Sequence, residues 1–242
     1  MVKTKKYVVY TSICGSASTS DDLIDPEKVF DDVDYIAFVD REHDCNVWQQ
    51  HTATPFSIDT KYFDRRNAKI YKAIPHQFMY GWDMCIWHDP THEVIVDPKS
   101  IHDKYLPDGF DIALFDHESR DCVYSEADAV RNWKMDHPED IENLMRLYKS
   151  NNYPSENGLY ECPVVIRKNT IKTQTLGLRW WELICKYSSR DQLSMPFVLW
   201  SLNMKPHILP GTAGKEYKRN NKIIPFMRNH NWEPNIPHQN LD

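Results

Sequence analysis

Four stretches of this 242-residue chain carry residue types and spacings that could do chemistry. Arg66, Lys69 and Lys72 recur every three residues, so on a helix they drift slowly around the axis and form one basic face. Beside strand ends that face would suit a diphosphate; a solvated basic surface is the other reading. Trp87-His88-Asp89-Pro90-Thr91-His92 sets a carboxylate among imidazoles, a donor set able to hold a divalent cation, although Asp-Pro is also a common turn pair. Phe115-Asp116-His117-Glu118-Ser119-Arg120-Asp121-Cys122 packs five ionisable side chains after an apolar run, where a His–carboxylate pair could act as general base or position a hydroxyl; solvated loop charges are the alternative. Ser188-Ser189-Arg190-Asp191-Gln192-Leu193-Ser194 offers Asp191 as a carboxylate for sugar hydroxyls or developing positive charge, or simply as a helix cap. Upstream of it, Trp180-Trp181 could stack on a sugar ring, although adjacent helix residues point in different directions and one of them belongs in a core.

The elements that must position these residues read as α/β. Tyr7–Ile13, Asp34–Val39, Met84–Trp87, Glu93–Val96 and Asp111–Phe115 are short apolar, β-branched or aromatic runs predicted as strands, with a helix over 64–73 stopped by Pro75. Strands alternating with helices imply a mainly parallel sheet covered on both faces, whose ligands bind beyond the carboxyl ends of its strands. Asp40, Asp89 and the stretch from Asp116 fall at such ends. Further on, Pro138 opens a helix with Ile141, Leu144, Met145 and Tyr148 on one face, and Cys162–Ile166 is a strand. Helices are expected over 176–187 and 192–202, the latter bent or begun near Pro196. One domain is expected over 1–242, with a nucleotide-sugar half at 1–115, an acceptor half at 116–204 and an irregular tail at 205–242.

Composition narrows the function classes. Seven glycines form neither G-x-G-x-x-G nor a P-loop, which sets aside dinucleotide enzymes and P-loop NTPases. A net charge of -6 argues against nucleic acid as a partner. No apolar run approaches the ~20 residues of a membrane span, and the amino terminus has no signal-peptide core. Six scattered cysteines without C-x-x-C suggest a reducing, cytoplasmic setting.

Taken in order, Tyr10-Thr-Ser-Ile-Cys-Gly15, Asp34–Asp40, Arg66-Asn-Ala-Lys-Ile-Tyr-Lys72 with Pro75-His76, Ile86-Trp-His-Asp89, His117–Ala127, Tyr153-Pro154 with Gly158-Leu159, and Trp180-Trp181 with Ser189–Ser194 form a set. The set resembles the glycosyltransferase-like family long filed as domain of unknown function 616, which includes plant proteins linked to pectic mucilage. It covers about four-fifths of the chain. The resemblance implies a GT-A type fold, with a Rossmann-like sheet joined to an acceptor-binding half. It also implies transfer of a hexosyl or pentosyl group from a nucleotide-sugar donor, UDP-linked, to a glycan or other hydroxyl. Plant relatives of this kind are typically anchored in the secretory pathway, whereas this sequence reads as cytoplasmic.

By that resemblance Thr11 and Asp40 would hold base and ribose, and Arg66, Lys69 and Lys72 the diphosphate, with Arg120 and Gln192 also on the donor. Asp191 falls where a carboxylate stands beside the transferred sugar, with His117 and Asp121 as further catalytic candidates and Trp180, Trp181 and Glu126 toward the acceptor. Asp89 matches the first Asp of the D-x-D metal motif, but Thr91 stands where the second carboxylate is expected. His92, or His207 or His230 from the tail, would then complete a Mn²⁺ or Mg²⁺ site; alternatively the three basic residues neutralise the diphosphate without metal. Two rival functions stay open: a metal-assisted amide or ester hydrolase using His88, Asp89, His92 and His117, and a non-catalytic sugar-nucleotide or glycan-binding module.

Overall fold

A computed structural model describes residues 6–15, 22–55, 63–211 and 227–229, with backbone only for 63–64 and 227–229. The β-branched run Tyr7–Ile13 forms β1, and Val33–Val39 forms β2 parallel to it, Tyr7 opposite Val33 through Ile13 opposite Val39. A short polar strand β3 (Gln49–Thr52) extends this edge. On the other side of β1 lies β4 (Met84–His88), also parallel. The order β3-β2-β1-β4 is the 3-2-1-4 order of a Rossmann-type sheet, so the α/β arrangement with a Rossmann-like central sheet expected from the sequence is present.

The sheet continues differently beyond β4. Strand β7 (Tyr160–Lys168) runs antiparallel to both β4 and β6 (Ile112–Asp116), and the two-residue β8 (His207–Ile208) closes the far edge, making seven strands. Because β6 opposes β7, it points the same way as β1, β2 and β4, so Asp40, Asp89 and His117 all emerge at one edge of the sheet. The expected fourth strand is shorter and lies elsewhere: β5 (His92–Val94) leaves the main sheet and pairs with β9 (Met227–Asn229). Pro90 lies between β4 and β5, and Asp89 caps the turn by accepting the His92 N–H.

Both sheet faces are buried, which is why the strands read as continuous apolar runs rather than alternating ones. Tyr10, Phe38, Trp87 and Val165 face one core with helices α1 (Phe63–Ala73), α3 (Val123–Asn132), α4 (Pro138–Ser150), α5 (Ile171–Lys186) and α6 (Asp191–Ser201). Val9, Tyr35, Ile86 and Phe115 face a second core with α2 (Pro98–Tyr105). Helix α5 starts earlier than its apolar periodicity suggests, at Ile171, because Thr170 and Thr173 make a capping box. Helix α6 begins at Asp191 and runs through Pro196. Among the described residues no helix is long and apolar enough to cross a membrane.

The end of α1 is held with particular care. Buried Arg167 on β7 donates to the carbonyls of Ala73 (3.1 Å) and Lys72 (2.6 Å), with its guanidinium over the Trp180 ring. Gly177 on α5 lies so close that a Cβ there would sit 2.3 Å from the Ala73 oxygen. These contacts set where Lys69 and Lys72 project.

Candidate active site

At the carboxyl edge of the sheet four charged side chains from three elements converge. Asp89 follows β4, Lys69 and Lys72 lie one turn apart on α1, and Asp191 opens α6. The Lys72 Nζ is 2.6 Å from Asp191 Oδ2 and 3.4 Å from Asp89 Oδ1, while Lys69 Nζ is 3.2 Å from Asp191 Oδ1 and donates to the Ser189 carbonyl at 2.7 Å. Lys72 is 2% exposed, Asp191 is buried, and the Asp89 side chain is 42% exposed, so the cluster opens to solvent on the Asp89 side. The Trp87 indole donates to Asp89 Oδ1 at 2.9 Å and fixes that carboxylate.

The electrostatics follow from burial against pairing. Burial alone would raise the Asp191 carboxyl, but Lys69 and Lys72 hold it well below the ordinary range, so it stays ionised. Burial would likewise lower Lys72, but Asp191 and Asp89 hold it above the ordinary lysine value. Lys69 differs: burial, with Lys72 and Arg190 nearby, outweighs Asp191 and brings it down to about 8. Behind the cluster, Asp136 takes the Ser188 hydroxyl and both the backbone N–H and hydroxyl of Ser189. Those bonds hold the loop that delivers Asp191.

Not every residue suggested by the sequence joins the cluster. Arg66 points away from the charged cluster: its guanidinium donates to the carbonyls of Ile184 and Tyr187 at 3.1 and 2.7 Å. The reason is geometric, since six residues of α-helix turn about 600°, leaving Arg66 and Lys72 about 120° apart. Thr11 is fully buried and its hydroxyl donates to the His88 carbonyl, which ties β1 to β4 and leaves no group for a ribose. Trp180 is 0% exposed and lies in the core against Arg167, so it presents no face to a sugar; Trp181 is half-buried beside the same core. Asp40 caps the loop after β1 by accepting the Gly15 N–H at 2.6 Å, and Gln192 is held by Arg190.

His117, Arg120 and Glu126 form a second cluster. Arg120 Nε is 2.6 Å from Glu126 Oε2, and His117 Nε2 is 3.5 Å from the same oxygen. His117 Nδ1 accepts the backbone N–H groups of Ser119 and Arg120, and burial lowers its pKa, so the neutral ring is a positioning group with its acceptor nitrogen already used. Asp121 is exposed beside this cluster.

A divalent cation does not fit the described residues. Asp89 Oδ1 already receives an ammonium and an indole N–H, and His92 is buried with Nδ1 bonded to Thr91. His207 packs against Phe110 and Tyr105, and His230 lies outside the described residues. Among the described residues no three His, Cys, Asp or Glu side chains converge on one point, which also separates the ligands a hydrolase would need. His88 points Nδ1 at the Asp89 carbonyl, and His117 is engaged with Glu126.

Comparison with known proteins bears on the same residues. The family model for the TOD1/MUCI70 glycosyltransferase-like domain matches residues 3–213. The probable hexosyltransferase MUCI70 of Arabidopsis thaliana is 26% identical over 143 residues, 55% of this chain and 25% of that protein. The chain therefore spans about a quarter of the length of that curated relative. Among solved structures, the bifunctional glycosyltransferase WbbM is similar at a TM-score of 0.46 and 9% identity, covering 87% of this chain and 39% of its own. Mouse xyloside xylosyltransferase 1 is similar at 0.40 and 11%, covering 81% and 80% respectively. The galactosyltransferase LgtC with donor and acceptor analogues is similar at 0.40 and 10%, covering 81% and 70%. These structural likenesses are partial, whereas the family match extends over most of the chain, from before β1 to beyond β8, and includes all four members of the charged cluster. This chain belongs to the TOD1/MUCI70 glycosyltransferase-like domain family.

Proposed function

We propose that the chain transfers a hexosyl or pentosyl group from a UDP-linked donor to a hydroxyl of a glycan acceptor, at the cluster of Lys69, Lys72, Asp89 and Asp191. The observation that carries this is Asp191, a buried carboxylate held ionised between two ammonium groups at the carboxyl edge of a Rossmann-ordered sheet. Cleaving a sugar–diphosphate bond leaves negative charge on the diphosphate and positive character on the anomeric carbon, and fixed opposite charges in a dry site stabilise both. Lys69 is the less buried of the two lysines and would meet the diphosphate, with Lys72 behind it. Asp191 would face the sugar. Asp89, half open to solvent and oriented by Trp87, would accept a sugar hydroxyl. The bond to the diphosphate oxygen breaks with its electron pair leaving on the diphosphate, while the acceptor oxygen bonds the anomeric carbon and gives up its proton to solvent. Charge on the leaving group is then met by lysine, in keeping with the poor fit of a cation to the described residues.

The test is thermal unfolding against a panel of nucleotides and nucleotide sugars, with and without Mn²⁺ and EDTA, followed by turnover on the donor that stabilises. Ligand at ~100-fold over Kd adds about 2.7 kcal/mol, a shift of several degrees. Stabilisation by UDP and a UDP-sugar in EDTA is expected. Lys69→Gln should weaken it about 10- to 100-fold, the range for one charge-assisted hydrogen bond. No shift with any nucleotide would overturn the proposal.

A further inference from the structure

We propose that Arg190 is a second phosphate-binding arm of the charged cluster, paired with Lys69 so that the site grips a diphosphate rather than a single phosphate. This rests on the transfer proposed above and names the residue that selects the donor by its phosphate count. Arg190 stands between two residues that both bind Lys69: the Ser189 carbonyl accepts from Lys69 Nζ at 2.7 Å, and Asp191 Oδ1 lies 3.2 Å from the same nitrogen. Its own backbone N–H donates to Ser188 Oγ at 3.1 Å, and the Ser188 hydroxyl donates to buried Asp136. The backbone that carries Arg190 is therefore wrapped against the cluster and anchored from behind.

The Arg190 side chain is only partly answered. It is half-buried, and one terminal nitrogen donates to Gln192 Oε1 at 2.9 Å, whereas its buried Nε–H meets no acceptor among the described residues. Both Asp191 oxygens are already taken, Oδ1 by Lys69 and Oδ2 by Lys72. The place is also unfavourable for a cation, since Arg190 is the cap residue ahead of α6, at the positive end of the helix, and its side chain caps no N–H. Its charge reaches the cluster. Burial is the main force lowering the Lys69 ammonium, with Lys72 and Arg190 adding to it, and against burial Lys69, Lys72 and Arg190 together hold Asp191 ionised. Lys69, Lys72 and Arg190 thus face two carboxylates, Asp89 and Asp191, which leaves positive charge in excess and a buried donor unmet.

An anion beside Arg190 and Lys69 removes these costs together: it accepts from the unmet N–H, offsets the surplus charge and lies at a helix N-terminus. The two cations differ in kind. Lys69 is a compact ammonium, and Arg190 a planar fork with a donor to spare, so they suit two phosphoryl groups of one ligand better than two oxygens of a single one. A nucleoside diphosphate engages both arms, whereas a nucleoside monophosphate engages one.

The experiment is titration calorimetry of UDP, UMP and inorganic pyrophosphate, in EDTA, on wild type, Arg190→Gln and Arg190→Lys, with circular dichroism checking each fold. Arg190→Gln is expected to weaken UDP and pyrophosphate about 10- to 100-fold, the range for one charge-assisted hydrogen bond, and UMP by less than about threefold. Arg190→Lys should fall between, since it keeps the charge and loses the fork. Should Arg190→Gln fail to fold, the ratio of UDP to UMP affinity in Arg190→Lys decides, and an unchanged ratio overturns the proposal. Equal losses for UDP and UMP in folded Arg190→Gln mean a merely structural role and overturn it too, as does wild-type affinity for all three ligands. Pyrophosphate binding that depends on Arg190 in a protein that binds neither UDP nor a nucleotide sugar overturns the transfer reading and leaves the diphosphate clamp standing.

Discussion

The contact of Gly177 with the end of α1 makes a demanding test of how the lysines are positioned. A Cβ at residue 177 would lie 2.3 Å from the Ala73 carbonyl oxygen, whereas ordinary contact begins at 3.4 Å, so α5 and α1 must part by roughly 1 Å. Alanine in a helix interior gains about 1 kcal/mol over glycine. Against that stand an overpacking cost of about 1–3 kcal/mol and the weakening of Arg167's bonds to the Ala73 and Lys72 carbonyls, each about 1.5–3 kcal/mol when fully lost. Gly177→Ala should therefore destabilise by about 2–4 kcal/mol, lowering Tm by roughly 4–16 °C at this chain length. Calorimetry against Lys172→Ala, an exposed change on the same helix expected within about 0.5 kcal/mol, gives the comparison. A Gly177→Ala protein as stable as wild type, or more so, would refute the close approach and with it the seating of Lys69 and Lys72.

Other outcomes follow from individual groups. Lys69 loses its charge above about pH 8, so kcat/KM should fall through that pH, and the limb should be absent in Lys69→Gln. Burial would raise the Asp136 carboxyl, but the N–H groups of His137 and Ser189 and the hydroxyls of Ser188 and Ser189 hold it below its ordinary value. Its contribution is therefore complete above the unfolded carboxyl value and lost as pH falls through the folded one. Asp136→Ala should cost about 3–5 kcal/mol at neutral pH, and denaturant melts should show the gap closing in acid below about pH 4. Arg66→Met should cost about 1.5–3 kcal/mol, since two carbonyls lose a charged donor, while titration calorimetry finds nucleotide affinity within twofold of wild type.

The sequence disclosed the parts of the site more fully than their assembly. Lys69, Lys72, Asp89 and Asp191 are each visible as charged residues near predicted element ends, yet their meeting depends on a crossover that places α1, β4 and α6 side by side. A three-residue repeat suggested one basic face, and it failed for Arg66 because the drift accumulates over two steps. Helix α2 left a readable sign, Asp97 capping ahead of Pro98, which the strand pattern overshadowed. Strand β3 left almost none, since Gln49–Thr52 is polar and exists only as an added edge to β2. In α3, Val123, Glu126, Ala127 and Val130 share one stripe, and the acid among apolar residues was the sign of a buried charge. For the tryptophans, residue type was not enough: the conspicuous pair held a core residue, and among the described residues the exposed ones are Trp133 and Trp200.

Asp191 is the most direct point at which to test the site as a whole. Donor turnover and UDP affinity should be measured together in Asp191→Asn, with circular dichroism confirming the fold. Removing the carboxylate frees Lys69 and Lys72 to answer a diphosphate, so UDP should bind at least as tightly as in wild type. Turnover should fall about 100-fold or more, the scale on which one preorganised charge acts in a transition state. Wild-type turnover in the folded Asp191→Asn protein would contradict the assignment of this cluster as the place where the sugar is transferred.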